Sequence, residues 1–67
     1  MLSYKKLWKL LIDKEIKKKE LSSLAGISMT SIAKLGRNEN VNTDILNKIC
    51  GALDCQIEDI VEYISEE

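Results

Sequence analysis

Hydrophobic residues recur at helical spacing in five stretches of the chain, and short polar or glycine-containing segments separate these stretches. The first predicted helix begins after Ser3, which can act as an N-cap, and ends at about Lys14 or Glu15. One side of this helix is apolar and comprises Tyr4, Leu7, Trp8, Leu11 and Ile12. The pattern therefore opens with an amphipathic helix that has a single core-facing side.

The second and third stretches predict two short helices joined by a tight turn, at about residues 18–25 and 29–35. The positions that should face inward are Leu21, Leu24, Ala25, Ile32 and Leu35. Gly26 suits the turn because it takes a positive φ without a clash of a Cβ atom. Ser28 stands at the N-cap of the next helix, and Gly36 is its expected C-terminal stop.

A polar connection over residues 37–40 leads to a fourth predicted helix, which Asn42 or Thr43 caps. Its apolar stripe comprises Ile45, Leu46, Ile49, Cys50 and Leu53. After a short break at residues 54–56, the spacing of the next apolar residues predicts a fifth helix that carries Ile57, Ile60, Val61 and Ile64. We therefore predict an all-α fold with five helices.

Size and composition restrict the classes of protein that are possible. Sixty-seven residues allow one small domain, residues 1–67, with a core near the lower limit for unaided folding. No apolar run approaches the length of a membrane span, and polar Ser3 and Tyr4 stand where a signal peptide would continue its apolar core. We expect a cytoplasmic protein.

The chain offers little for catalysis or for a cofactor. Two cysteines without a histidine do not make a zinc site, which usually needs four Cys or His ligands. Cys50 and Cys55 fit reduced, semi-buried thiols, an interpretation that we favour over a disulfide. Without a metal-ligand cluster or a glycine-rich phosphate loop, we expect neither an enzyme nor a bound cofactor.

Charge is separated along the chain, although the formal net charge is only −1. Residues 1–37 contain nine Lys or Arg against three Asp or Glu, a balance of +6, whereas residues 38–67 contain one Lys against eight acids, a balance of −7. A polyanion would therefore meet the N-terminal half first. Trp8 could stack on a base in this half, but its place within the apolar stripe favours a core role.

Three consecutive lysines, Lys17, Lys18 and Lys19, stand at the start of the second predicted helix. This arrangement is locally unfavourable, because the positive end of the helix dipole repels a nearby cation by about 0.3–1 kcal/mol. A bound phosphate would reverse the sign, because amide and ammonium groups would then point at one anion. We favour phosphate contact over the alternative of a solvated basic surface.

The segment from Lys17 to Arg37, KKKELSSLAGISMTSIAKLGR, resembles the helix-turn-helix of the Cro and lambda-repressor family, also called Xre-like regulators. The resemblance rests on the apolar spacing and on the Ala25-Gly26-Ile27 turn. It implies a compact, five-helix lambda-repressor-like domain with the helix-turn-helix at about residues 18–36. In that family the second helix of the pair lies in the major groove of DNA.

The resemblance also implies which side chains would contact double-stranded DNA. The predicted outer positions of the third helix, besides Ala33, are Ser28, Met29, Thr30, Ser31 and Lys34. Hydroxyl groups can bond base edges, Met29 or Thr30 can contact a thymine methyl, and Lys34 can reach guanine or a phosphate. In the family the next segment follows the phosphate backbone, which adds Arg37 and Asn38. The alternative is that all of these are ordinary exposed residues.

Three positions depart from the family pattern. Lys18 stands where many members carry glutamine, so a mobile charge replaces an oriented amide. Asp54 and Gln56 stand where the family tends to have a glycine and then a serine or threonine. Members often form homodimers through the C-terminal part, whose candidate contacts here, if they do not merely close the core, are Cys55, Ile57, Val61, Tyr63 and Ile64.

Two functions from different classes follow from the resemblance. The first is a stand-alone sequence-specific DNA-binding regulator, a repressor that occupies a palindromic operator as a dimer and contains no second domain for a small-molecule sensor. The second is a protein-interaction module such as an antitoxin or anti-repressor, whose acidic half would meet a basic partner. The dependence of binding on salt separates them, because phosphate contacts release counterions and apolar docking does not.

Overall fold

The computed structural model of the protein describes residues 1–65 and contains, within them, four α-helices, one 3-10 turn and a two-stranded antiparallel sheet. The helices are α1 (Lys5–Asp13), α2 (Lys18–Ala25), α3 (Met29–Gly36) and α4 (Thr43–Leu53). The 3-10 turn covers Ile57–Asp59, and the strands are β1 (Leu2–Ser3) and β2 (Glu62–Tyr63). The helical class is confirmed, whereas the fifth helix is wrong. Glu66 and Glu67, two of the acids counted above, lie outside the described residues.

The core joins every helix of the described range through one cluster of apolar side chains. Its buried members are Tyr4, Leu7, Leu11, Leu21, Ile27, Ile32, Leu35, Leu46, Ile49, Leu53 and Ile60. α2 packs on both α3 and α4, and the 3-10 turn contacts α1 and α4. Two predicted core residues are exposed instead, because Ile12 (74%) and Leu24 (59%) lie at the edges of stripes that are narrower than predicted.

The helix starts show which caps the sequence predicted correctly. Ser28 caps α3, since its Oγ accepts a hydrogen bond from Ser31 N at 3.2 Å, and Asn42 caps α4, with Oδ1 accepting from Ile45 N at 3.1 Å. Tyr4 and not Ser3 is the N-cap residue of α1, because Ser3 belongs to β1, but Ser3 Oγ accepts a hydrogen bond from Lys5 N, the first amide of α1, at 3.3 Å. The predicted start of α1 was therefore one residue early.

The helix ends share one arrangement throughout the described range. A residue with positive φ follows each helix, and these residues are Glu15, Gly26, Asn38 and Asp54. The next backbone N–H bonds to a carbonyl five residues back, as in Glu39 N to Lys34 O at 2.9 Å. Gly36 is therefore not the stop of α3, because it is helical and Asn38 takes the left-handed conformation.

The predicted fifth helix is replaced by the 3-10 turn and β2. Its apolar spacing suited a helix, but the segment is rich in β-branched residues, which favour extended backbone. Ile60 is fully buried, and the chain then pairs with β1 in the register Leu2 to Tyr63 and Ser3 to Glu62. The strand pair therefore supplies the backbone hydrogen bonds that a continued helix would have made.

Candidate nucleic-acid interface

The start of α2 presents three lysines with exposed side chains, as the charge pattern predicted. Lys17 is the N-cap residue but has no acceptor atom, and it caps none of the first-turn amides. Glu20 accepts a hydrogen bond from Lys17 N at 3.1 Å, so a carboxylate in the first turn offsets part of the positive charge. The first-turn amides and the lysine ammonium groups together form a basic end of the helix.

Lys18 differs from its two neighbours because its position is defined by an aromatic ring. Its Nζ atom lies 4.5 Å from the centroid of the Trp8 ring. The same Nζ atom lies 4.0 Å from the place where a Cβ atom on Gly36 would be. The start of α2 and the end of α3 are therefore neighbours, and the Lys18 charge lies between them.

The turn between α2 and α3 fixes the relative placement of the two helices. Gly26 has φ +68°, the conformation that the sequence predicted for it. Ile27 is buried, and its carbonyl accepts a hydrogen bond from Ser22 Oγ at 2.5 Å. Ser22 therefore connects α2 to the turn.

α3 presents a polar, mostly short-chained outer face while Ile32 and Leu35 are buried in the core. Thr30, Ala33 and Lys34 are exposed, and the side chain of Met29 is 51% exposed. Ser28 Oγ donates a hydrogen bond to Ser31 Oγ at 3.2 Å, which leaves the Ser31 hydroxyl able to donate elsewhere. The predicted outward orientation of this face matches the structure, and Ser31 alone of its predicted members is half-buried.

The connection after α3 holds Arg37 in an exposed ion pair with Glu39. The hydrogen bond with Glu39, and then the charge of that carboxylate, raises the pKa of Arg37. The same hydrogen bond is the main cause that lowers the pKa of Glu39, and the charges of Arg37 and Lys34 add to it. Both groups are therefore charged near neutral pH, so Glu39 offsets the positive charge that Arg37 would offer to a phosphate.

Asn38 has a structural task that the sequence did not indicate. Its Oδ1 atom accepts a hydrogen bond from Tyr4 N at 3.2 Å, while the Tyr4 hydroxyl donates to Glu39 O at 3.1 Å. Tyr4 is fully buried, and burial raises the pKa of its hydroxyl. Tyr4 thus joins the connection to α1 through its backbone N–H and its hydroxyl, and Asn38 takes part in this contact through its Oδ1 atom.

The remaining surface adds no alternative chemistry among the described residues. Within residues 1–65, no group of three or more His, Cys, Asp or Glu side chains could hold a metal ion. The thiols of Cys50 and Cys55 are free and half-buried. Across the same range, no helix is both long enough and apolar enough to cross a bilayer.

A comparison with protein families decides what this arrangement of helices is. Residues 6–66 match the family described as the Cro/C1-type HTH DNA-binding domain, where HTH denotes helix-turn-helix. The chain belongs to this family. A Cro/C1-type domain is a DNA-binding module of transcriptional regulators and not a class of enzyme.

Two relatives of this Cro/C1-type domain agree with the assignment. The uncharacterized HTH-type transcriptional regulator YozG of Bacillus subtilis (strain 168) is 46% identical over 50 residues, which are 72% of this chain and 60% of the relative. The chain thus spans about three-fifths of the length of that relative. The crystal structure of the transcriptional regulator VanUg, form II, superposes with a TM-score of 0.92 at 51% identity and covers 97% of this chain and 87% of that one.

Sequence reasoning missed the roles of two residues that contact the candidate interface from the side of α1. Tyr4 and Trp8 were assigned to an apolar stripe. Tyr4 contacts residues 34 and 35 positions away, so no local pattern could have shown its role. Trp8 had one signal, an aromatic ring on the helix that precedes a run of lysines, which is the composition of a cation–π contact.

Proposed function

We propose that the chain is a sequence-specific DNA-binding transcriptional repressor that acts by occupying an operator. In this proposal residues 1–67 form one DNA-binding domain, which works in the cytoplasm and has no enzymatic activity. α3 enters the major groove and reads base edges, while α2 and the connection after α3 lie along the phosphate backbone. Repression then follows from occupancy alone, because a bound domain blocks the access of other proteins to the same DNA.

The observation that carries the proposal is the outer face of α3 with cations at both of its flanks. Thr30, Ala33 and Met29 are exposed and lack long charged chains, which lets a helix approach the floor of the groove closely. Thr30 offers a hydroxyl and a methyl group, and Lys34 offers an ammonium group for guanine or phosphate. We assign base reading to Ser28, Met29, Thr30, Ser31 and Lys34.

We assign the sequence-independent part of the affinity to the basic groups beside α3. These are Lys17, Lys18 and Lys19 at the start of α2, together with Arg37 and the Nδ2 group of Asn38. Each neutralised phosphate releases counterions, so the logarithm of the affinity should fall with a slope of about −0.9 per contact against the logarithm of salt concentration. The negative balance of residues 38–67 favours approach to DNA through the N-terminal half.

We propose further that two copies bind together through the C-terminal part. Ile57 is 49% exposed at a groove of about 380 Å³ that α4 and the 3-10 turn form, and Tyr63 and Ile64 are also exposed. Cys55, which also lines this groove, and Val61 are half-buried. A homodimer through this surface would present two α3 helices to half-sites about one DNA turn apart.

The test is selection of bound duplexes from a random DNA pool at near-physiological salt. The wild-type protein should enrich a two-fold symmetric sequence. A Thr30→Ala, Lys34→Ala variant should lose or change that sequence, because it lacks the hydroxyl and the ammonium group on the outer face of α3. A Lys48→Ala variant is the matched control, because Lys48 pairs with Asp44 on α4 at 3.3 Å, outside the assigned site.

The selection also separates the two classes of function. Enrichment of the same sequence by wild type and by the α3 variant would exclude base reading by Thr30 and Lys34. If neither protein enriches a sequence while both are folded, the regulator proposal fails, and a protein partner for the acidic half becomes the better hypothesis. Binding to such a partner through apolar contacts would respond far less to salt than binding to DNA.

A further inference from the structure

The position of the Lys18 ammonium group is set by the side chain of Trp8. The 4.5 Å distance from Nζ to the ring centroid is within the range of a cation–π interaction. The Trp8 ring is half-buried, and its packing against the core side chains fixes its position. Among residues 1–65, Lys18 is the one lysine seated over an aromatic ring.

The seat over Trp8 lies at the junction of three helices. Trp8 belongs to α1, Lys18 is the first residue of α2, and Gly36 is the last residue of α3. The 4.0 Å separation between Nζ and the Cβ position of Gly36 places the charge beside the end of α3. Carbonyl groups at a helix end attract a cation, so α3 adds to the attraction of the ring.

We propose that Trp8 is a positioning residue for DNA binding, which holds the Lys18 ammonium group where it donates to a phosphate. This inference rests on the proposed function. An ammonium group has three N–H donors, and contact with one ring face leaves donors directed away from the ring. The chain thereby carries an oriented charge at the start of α2. The proposal differs here from the expectation from sequence that Lys18 is a mobile charge.

The contact has a consequence for which substitutions matter. Lys17 and Lys19 are exposed at the same helix end, and each can contribute charge to the interface. Lys18 contributes charge at a defined place, so losing its support should weaken binding even though the charge itself is retained. Trp8 should therefore act on DNA affinity only through Lys18.

The experiment is a double-mutant cycle on the selected duplex, with Trp8→Leu, Lys18→Met and the combination. We expect Trp8→Leu to weaken binding about 2- to 5-fold, the range that an exposed cation–π contact supports. Lys18→Met should weaken binding further and reduce the salt slope by about 0.9. In the Lys18→Met background, Trp8→Leu should have no further effect, and Trp8→Phe should lie between wild type and Trp8→Leu.

Tryptophan fluorescence gives a second measurement, which does not require a Trp8 variant that folds. Trp8 is the only tryptophan of the chain, so the emission reports on this ring alone. Without DNA, Lys18→Met should change the emission, whereas the matched Lys19→Met variant should leave it as in the wild type. Titration with duplex should change the wild-type emission in step with binding, and this change should be lost in Lys18→Met.

Two results would overturn the positioning role. One is an equal loss of affinity from Trp8→Leu in the presence and absence of Lys18, which would show that Trp8 acts through packing. The other is identical emission from the wild-type, Lys18→Met and Lys19→Met proteins. Failure of the wild type to bind any duplex is a different outcome, which would overturn the proposed function itself.

Discussion

At the scale of single residues, the candidate interface is shaped as much by the partners of its charged groups as by the charges themselves. Arg37 and Glu39 stand two positions apart and form an exposed ion pair, and Lys34 lies one helical turn before them. The carboxylate is close to the groups proposed to face phosphate. Glu39 should therefore limit the affinity for DNA.

Replacing Glu39 with glutamine tests this limit. Glu39→Gln should tighten binding to the selected duplex about 3-fold or more at low salt and steepen the salt dependence, because it removes a negative charge and releases the Arg37 guanidinium group. Fluorescence anisotropy at several salt concentrations measures both quantities. A Glu62→Gln variant removes the same charge from β2 and should leave binding nearly unchanged, so an equal gain in both variants would contradict a local effect.

The lowered pKa of Glu39 sets the pH range over which this carboxylate should limit the affinity for DNA. Arg37 lowers the pKa of this carboxyl, so the pair persists at pH values where an ordinary glutamate would already be protonated. Any stability from the pair is present above the ordinary pKa and is lost as pH falls through the lowered one. The affinity difference between wild type and Glu39→Gln should accordingly stay constant from neutral pH down to that acidic range.

Residue-scale predictions from sequence succeeded where the cause was local. Ser28 was recognised as a cap and Asn42 as one of two candidates beside Thr43, because a cap bonds to an amide three residues away. Tyr4 could not be recognised, because both of its partners come from the connection after α3. The position of Lys18 over the Trp8 ring likewise depends on how α1 packs beside α2, which no local sequence pattern predicts.

At the scale of elements, the helix ends of the described range depend on residues that take positive φ. Glycine adopts this conformation without a penalty, whereas other L-residues pay about 1–2 kcal/mol. Gly26 meets the requirement directly, while Glu15, Asn38 and Asp54 adopt the same region with a side chain. The positions of glycines were therefore a poor guide to the C-terminal ends of the helices. Gly36 was predicted to end α3 because it is a glycine.

Two glycines make a matched pair for a stability experiment. Neither Gly26 nor Gly51 has a neighbour within 4 Å of an added Cβ atom, so only the backbone distinguishes them. Gly26→Ala should lower the free energy of unfolding by about 1–2 kcal/mol because of its positive φ. Gly51→Ala, inside α4, should raise it by about 0.5–1 kcal/mol. Urea denaturation followed by circular dichroism measures both changes in the free energy of unfolding. Changes of the same sign in the two variants would contradict the backbone explanation.

The replaced fifth helix shows how far apolar spacing can be trusted in a short segment. Ile57, Ile60, Val61 and Ile64 fit the helical period, and the burial of Ile60 is what such a stripe predicts. Whether the backbone continues as a helix or extends is decided by β1, at the other end of the described residues. Spacing therefore identified the buried residue correctly and the element wrongly.

At the scale of the whole molecule, the proposal assigns DNA binding to the basic half of the chain and contact with a second copy to the acidic half. The basic half would meet DNA, and the exposed apolar residues after α4 would meet a second copy. Ile57 belongs to the acidic half, at the groove beside Cys50 and Cys55. Burial and the adjacent Cys50 thiol raise the pKa of the Cys55 thiol to about 11, so Cys55 carries no thiolate charge near neutral pH.

A charge on Ile57 tests the dimer directly. Ile57→Glu should weaken self-association about tenfold or more, because a carboxylate would be buried against an apolar surface. Ile12→Glu is the matched control, since it changes an isoleucine that is 74% exposed on α1. Sedimentation equilibrium compares the two variants with the wild type. Unchanged association of Ile57→Glu, or dissociation of Ile12→Glu alone, would place the dimer contact elsewhere.

The pairing of β1 with β2 has a consequence for the order in which the fold is acquired. The two strands are almost the whole described chain apart in sequence, so their contact closes the longest loop in the fold. The helix-turn-helix uses contacts between near neighbours, which form early because little loop entropy opposes them. We therefore expect the strands to join after the helices have packed and to separate before them. Opening of this small sheet would then detach β2, with the exposed Tyr63, from β1 while α3 stays in place, so that the proposed assembly of two copies and the proposed recognition of DNA would be separable in time.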